Sequence, residues 1–480
     1  MSARAIRMHV VVSAALAVAA GCSTIRNARD AQDSVAAKGA GEPPRVSKAD
    51  FRGYSLERLV GFAMTNRPSV VAARLDVEDA RLAMKTIAAD APLVSDTPWT
   101  ALSLSASGGY SEASAGTAMR DHNFSTKGNA SAALSLNLLV WDFGRYDARA
   151  KAQAEAVVAA EISLLREGFL VFEEVSSSYF TFLEKNSLLE VAITNQAQYA
   201  ERLLQAERRL DAGEADRLDV LKARLDLARA RQTTVAASNL VATSGAKLMD
   251  ALGVDASRGT CGEVFGEVRL GMDEVMRAFD RTGYGVGEVF DFARTNAPSV
   301  QAARAGLRAA SHDVDRAIAD LMPEISASTS LSWADPLWYW QWGVSAVQPL
   351  FQGFRRTTAV DRAVIAMRKA EASVDEAEQS LSANLESAVA VRDNSVEALK
   401  SAVASVRSAK ENLETAREQL LVGSVSRVEL SDAIAAYSSA LGDSIVAFYD
   451  GQRAEAALFA LVGRFPVYSE RMVKGGGDDE

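Results

Sequence analysis

Two acidic side chains, Glu429 and Asp432, stand six and nine residues past Gly423 in the stretch VGSVSRVELSDA. On a helix a spacing of three puts both carboxylates on one face. Carboxylates gathered at a constriction attract cations and repel anions. The same charges on an isolated helix are only its solvated face, and the spacing alone leaves both readings open. Six residues past Gly213, Asp219 takes the place of Glu429, and nine past it stands Lys222.

Catalytic chemistry finds little else to use. Of the three histidines, His9, His122 and His312, none has cysteine or H-E-x-x-H company. There is no phosphate-binding G-x-x-x-x-G-K-[ST] and no G-x-S-x-G, and Gly285-x-Gly287 lacks the third glycine of a dinucleotide loop. No enzyme, cofactor or metal is expected. The net charge of −10, without a basic block interleaved with aromatics, argues against a nucleic-acid partner.

The elements that must carry these carboxylates are organised as a tandem repeat. TNRPSVVAARLDVEDA from Thr65 returns as TNAPSVQAARAGLRAA from Thr295, a shift of 295 − 65 = 230. The shift becomes 210 from Trp141/Phe351 through Gly213/Gly423 to Gly253/Gly463. Asn66-Arg67-Pro68 and Asn296-Ala297-Pro298 each break one helix and start the next, because proline is tolerated in the first turn. Beyond them lie long proline-free stretches rich in Ala, Glu, Arg, Leu and Gln. Arg145 to Ala212 as one helix would extend about 100 Å at about 1.5 Å per residue. Its seam, Leu165, Phe169, Phe172, Ser176, Tyr179 and Leu183, is narrow, as is Leu381, Leu385, Ala388, Leu399 and Val406 in the second repeat. A narrow seam predicts a thin wall wetted on both sides. The glycine turns at Gly213 and Gly423 make each long stretch a helical hairpin.

Between the opening helices and these hairpins the pattern alternates instead. Ile325, Ala327, Thr329, Leu331 and Trp333 share one face of a strand with serines opposite, and Trp340, Trp342, Val344 and Ala346 do the same in the return strand. Alternating strands of roughly ten residues suit a transmembrane β-barrel, although a soluble hairpin alternates too. If they span a bilayer, every backbone polar group needs a partner, so the sheet must close. Four strands cannot close, since such barrels start at about eight. Three chains would pool twelve.

The N-terminus reads as a secretory signal peptide, residues 1–21, ending in Ala19-Ala20-Gly21-Cys22. Cys22 is then either the lipidated cysteine of a lipobox or a residue near an ordinary cleavage site. Ser23 after it favours passage to the outer membrane. Residues 22–53 read as an extended tether, and Cys261 as an unpaired structural thiol. The first repeat covers 54–254, with a β-hairpin at about 99–140 and a helical hairpin at about 144–253. A linker follows at 255–283. The second repeat reads as 284–465, with hairpins at about 324–349 and 354–463, and 466–480 read as a tail expected to be disordered.

From Tyr54 to Gly463 the chain resembles the TolC-like outer-membrane factors of tripartite efflux pumps and type I secretion systems. The repeated N-x-P-S-V-x-A-A-R, the junctions Trp141-Asp142-Phe143-Gly144-Arg145 and Pro349-Leu350-Phe351-Gln352-Gly353-Phe354-Arg355, and the glycine turns carry the likeness. The resemblance implies a mainly helical chain with a small β part, and a homotrimer whose twelve-stranded barrel continues into a periplasmic α-helical barrel. It implies lipid contact in the outer membrane, with Trp333, Trp340 and Trp342 as an interface girdle or else a small buried cluster. Adaptor docking, with an inner-membrane pump behind it, would fall on Gly213, Val422, Gly423 and Ser424. Asp219, Glu429 and Asp432 would ring the aperture. Leu139, Gln352 and the turn around Gly213 depart from the family pattern, and Val425 stands where a locking arginine is expected, leaving Arg217 or Arg427 as substitutes. A lipid-anchored periplasmic scaffold or adhesin is the alternative.

Overall fold

The computed structural model describes residues 28–29, 31–32, 55–89, 102–113, 125–213, 216–254, 286–334, 337–348, 350–422, 424 and 426–463. The chain divides into two compact units. In the smaller, residues 1–51 with 257–259, the described residues are 28–29 and 31–32, which are helical where the sequence suggested an extended tether. Cys22, the signal peptide, Cys261 and the tail lie outside the described residues.

The larger unit runs α1 (Leu56–Asn66), α2 (Pro68–Ala89), β1 (Leu102–Ala113), β2 (Ser125–Trp141), α3 (Arg145–Asp211) and α4 (Arg217–Ala251). The same order then recurs as α5 (Val286–Asn296), α6 (Pro298–Ala319), β3 (Glu324–Ala334), β4 (Leu337–Val347), α7 (Arg355–Val422) and α8 (Arg427–Val462). Helices dominate, and at 67 and 68 residues α3 and α7 each reach about 100 Å. Within each repeat the long helix folds back on its partner, α3 on α4 and α7 on α8. Across the repeats α3 packs on both α6 and α8, so the helices lie side by side as α2, α3, α6, α7 at one level and α4, α3, α8, α7 at the other.

The repeated N-x-P motif has a packing reason. Arg67 and Ala297 are extended (ψ 128 and 126), so each opening helix stops and restarts at the following proline. The second hairpin returns to this joint. Ala293, Ala297 and Val300 form one core cluster with Leu381, Leu385 and Val462. Gly463, at φ +72, lies so close that an added Cβ would stand 2.9 Å from Pro298 Cδ and 3.1 Å from Asn296 O.

Along α3 the seam residues Phe169, Phe172, Ser176, Tyr179 and Leu183 are buried, but Leu165 is exposed. At that level the neighbour is α2, and Leu164 lines the groove against it. The contact face has rotated by one residue because the neighbour changes.

The four strands form one antiparallel sheet in the order β1-β2-β3-β4. Register aligns the apolar positions: Leu134 pairs Leu331, Leu331 pairs Trp340, and Ala327 pairs Val344. Serines align between them, as in Ser326 with Ser345. A register irregularity between Leu139 and Trp141 marks where Leu139 departs from the family pattern.

Helix α8 starts in a capping box. Ser426 Oγ accepts from the Glu429 N–H (3.3 Å), and Glu429 Oε2 accepts from the Ser426 N–H (2.9 Å). Ser426→Ala should cost about 1 kcal/mol locally, and hydrogen exchange of the α8 first-turn amides should quicken about fivefold. Unchanged exchange would mean the cap does not hold the turn. Gly463→Ala should lower the unfolding midpoint, followed by circular dichroism in detergent, clearly more than Gly213→Ala. Both lie in the left-handed region, which costs an alanine about 1–2 kcal/mol, but Gly213 has nothing within 4 Å of an added Cβ. Equal shifts would show that the Gly463 contact yields freely.

Candidate functional site

The two hairpin turns bring the sequence-nominated acids to the start of α4 and α8. Gly213 (φ +79) closes the first turn, its N–H bonding Leu210 O at 3.0 Å. In the second turn Val422 ends α7, Gly423 lies outside the described residues, and Ser424 bonds Gln419 O through both its N–H (3.0 Å) and its Oγ (3.1 Å). Asp219 is half-buried in the first turn of α4, and its N–H bonds Asp216 O at 3.0 Å. Glu429 and Asp432 are both exposed. The opposite side of α8, with Ala433 and Ile434, is buried against Leu413 and Ala416 of α7. Glu429 is therefore a helix cap as well as a surface charge, a role its S-x-x-E spacing could have revealed. Of the substitutes for a locking arginine, Arg217 begins α4 as an exposed residue, while Arg427 begins α8 with its side chain outside the described residues.

Periodicity could not show what ties the two hairpins to each other. Arg202 Nη1 on α3 donates to Ser431 Oγ on α8 at 3.1 Å, and Ser438 Oγ donates to Asn195 Oδ1 at 2.6 Å. Further along, Arg453 Nη1 lies 2.8 Å from Glu184 Oε2, whose side chain is 4% exposed. Burial lowers the Arg202 pKa, while Tyr199 and Asp226 act in the opposite direction. These partners are more than 200 residues apart in sequence, so no local signal announces them.

At the other end, the sheet presents an uncovered apolar face. Trp340 and Trp342 are 74% and 76% exposed and Val344 is 68% exposed. Trp340 Nε1 donates to Thr329 Oγ1 at 2.9 Å. Trp333 occupies β3, its side chain outside the described residues. A second aromatic level, not read as such from the sequence, lies where the strands meet the helices. Trp141 and Phe143 pack edge to face, as do Phe351 and Phe354, and all four are exposed. Trp141 pairs with Ile325 and Trp340 with Leu331, six residues along β3, or about 20 Å at strand rise. That approaches the roughly 25 Å apolar band of an outer-membrane barrel. Beneath it Arg145 binds Asp320 (2.8 Å) and Glu324 (2.9 Å), and Asp142 caps α3 by accepting from the Gly144 and Tyr146 N–H groups at 3.2 and 2.6 Å.

His312 Nδ1 lies 3.6 Å from Asp315 on its own helix. Among the described residues no group of three or more His, Cys, Asp or Glu side chains is placed to hold a metal ion, and no helix is long and apolar enough to cross a membrane.

No characterised protein matches the chain significantly by sequence. Solved structures match its fold. The CmeC outer membrane channel of Campylobacter jejuni superposes with a TM-score of 0.71 at 15% identity, covering 87% of this chain and 88% of that one. The outer membrane protein VceC of Vibrio cholerae gives 0.70 at 16% identity, covering 85% and 96%. The open state of the Neisseria gonorrhoeae MtrE outer membrane channel gives 0.68 at 18% identity, covering 85% and 89%. The sequence profile described as "Outer membrane efflux protein" matches residues 59–254 and 289–464, one stretch in each repeat. With both halves of its repeated architecture matched, the chain belongs to the outer membrane efflux protein family.

Proposed function

We propose that three copies of this chain close into a channel through the outer membrane and export substrates, in efflux or type I secretion. The hairpin turns at Gly213, Val422, Gly423 and Ser424 dock a periplasmic adaptor, and behind it stands an inner-membrane pump. The observation that carries this reading is the open four-stranded sheet with Trp340, Trp342 and Val344 bare on one face. Such a face suits hydrocarbon, and hydrocarbon tolerates no open edge. Closing the sheet with further copies satisfies both demands. The CmeC and MtrE structures, described as outer membrane channels, support the reading by their shared fold. Energy for transport comes from the pump, because the chain offers no nucleotide site in its sequence. Lipidation of Cys22 anchors the N-terminus to the same membrane.

In this reading Asp219, Glu429 and Asp432 each recur three times around the axis near the turns. Their negative field favours cations at the narrowest point. Of the two α8 carboxylates, Glu429 also serves the capping box.

Single-channel recording of purified protein in planar bilayers tests both parts. Wild type should show discrete openings that prefer cations. Glu429→Gln/Asp432→Asn should bring that preference toward unity while the openings persist, since Gln at 429 retains a cap acceptor. Selectivity unchanged by the double variant would remove the carboxylates from the aperture. Folded, inserted protein that never conducts, even with the turns loosened by Ser426→Ala, would sink the channel.

A further inference from the structure

Where α3 and α8 of one chain meet, they leave a pocket of about 350 Å³. On α3 it runs from Ser187 to Gln198, and on α8 from Tyr437 to Tyr449, so it begins beside the Glu184 to Arg453 pair and includes the Asn195 to Ser438 bond. Packed helices close most gaps of this size. Here the facing positions hold short side chains, Ser187, Val191 and Thr194 against Ser438, Ser444 and Ile445, and these leave the space unfilled. The volume falls within the roughly 300–1,000 Å³ of small-molecule sites.

The lining states which chemistry fits. A hydroxyl has one proton to give, and once it is given the oxygen can only accept. Thr194 gives its proton to Glu190 O (2.9 Å), Ser444 to Leu441 O (2.8 Å) and Ser438 to Asn195 Oδ1 (2.6 Å). Gln198 Oε1 is a further acceptor, buried with no hydrogen-bond partner among the described residues. The donors left are the Asn195 and Gln198 amides and the Tyr437 hydroxyl. Charge decides between them, because Glu190 is the one ionic side chain in the lining and it is exposed at the rim. The flanking guanidiniums are turned elsewhere: Arg453 to Glu184 and Asp450, Arg202 to Ser431 Oγ and over the Tyr199 ring. Leu441, Ile445 and Phe448 supply the apolar wall.

We propose that this pocket binds a small molecule carrying a primary ammonium on a compact apolar body. The ammonium has three donors and no acceptor, which suits Gln198 Oε1 and the spent hydroxyls of Thr194, Ser438 and Ser444. Its body replaces water against Leu441, Ile445 and Phe448. Bound there, the molecule bridges α3 to α8 and adds a tie between the two helical hairpins. The site lies within one chain and needs no second copy.

Isothermal titration calorimetry of the full chain in a neutral maltoside detergent tests this with 2-phenylethylamine and its anionic counterpart 3-phenylpropanoate. The amine should bind saturably, one per chain, and the carboxylate about tenfold more weakly, since a buried anion would face acceptors. Gln198→Glu should tighten the amine about threefold by making the bond charge-assisted, and Gln198→Leu should weaken it by about as much. Ile445→Trp, which fills the pocket, should abolish binding while the circular dichroism stays that of wild type. If that variant does not fold, the two Gln198 variants decide alone. No saturable heat from the amine, a carboxylate that binds as well, or a Gln198→Glu variant that binds no better than wild type would overturn the site. None of these results bears on conduction, which the bilayer recordings read separately.

Discussion

A strand at the edge of a sheet carries a row of unpaired backbone donors and acceptors, and the rest of this molecule follows from having two such edges. The sheet ends at β1 and β4. In water the edges could be solvated, but the face between them holds Trp340, Trp342 and Val344, which water does not favour. In hydrocarbon the face is at home while each unpaired group costs several kcal/mol. Neither solvent suits the single chain. Under the proposed assembly the conflict disappears, and the chain needs only as many strands as its share of a closed ring. Duplication supplies that share with two copies of one solution.

The helices face a different difficulty. A helix of 67 residues with many alanines has little in its apolar seam to stop its neighbour sliding by a turn or two. Polar pairs supply what the seam lacks, since a hydrogen bond lost to water-free surroundings leaves an unsatisfied group. Arg202 with Ser431 and Asn195 with Ser438 are each seven residues apart along their helices, so they repeat on one face. Glu184 with Arg453 adds a nearly buried charge pair, which contributes little net stability but penalises any register that separates its members.

Much of this architecture was legible in the residues. Prolines bounded the helices, period-two runs marked the strands, and the shift between repeats showed one unit made twice. The family and the fold class rest on those signals. Local periodicity misplaced Leu165, because a seam continues in sequence after the neighbour in space has changed. It gave no sign of Glu184 or Arg202 as ties, because each partner lies on the other repeat. Glu429 illustrates a different limit. Its S-x-x-E spacing spells a helix cap, while its distance from Gly423 suggested a ring charge, and one carboxylate is able to serve both. The aromatics at 141, 143, 351 and 354 were recognised as a motif but not as a level in the sheet, since that depends on strand register.

The polar ties and the apolar seam of the long helices respond differently to displacement. Between α3 and α8 of one chain the contact is directional: Arg202 meets Ser431, Asn195 meets Ser438 and Glu184 meets Arg453, each at short range. The faces of α4 and α7 turned away from α3 and α8 carry Leu221, Leu225 and Val235 on α4 and Val391 and Asn412 on α7, all exposed in the single chain. Apolar contact falls off gradually with displacement and is regained after a small slide, whereas a broken buried hydrogen bond is a discrete loss. The polar ties therefore fix the register of one hairpin against the other within the chain, where an apolar seam alone would tolerate a small slide.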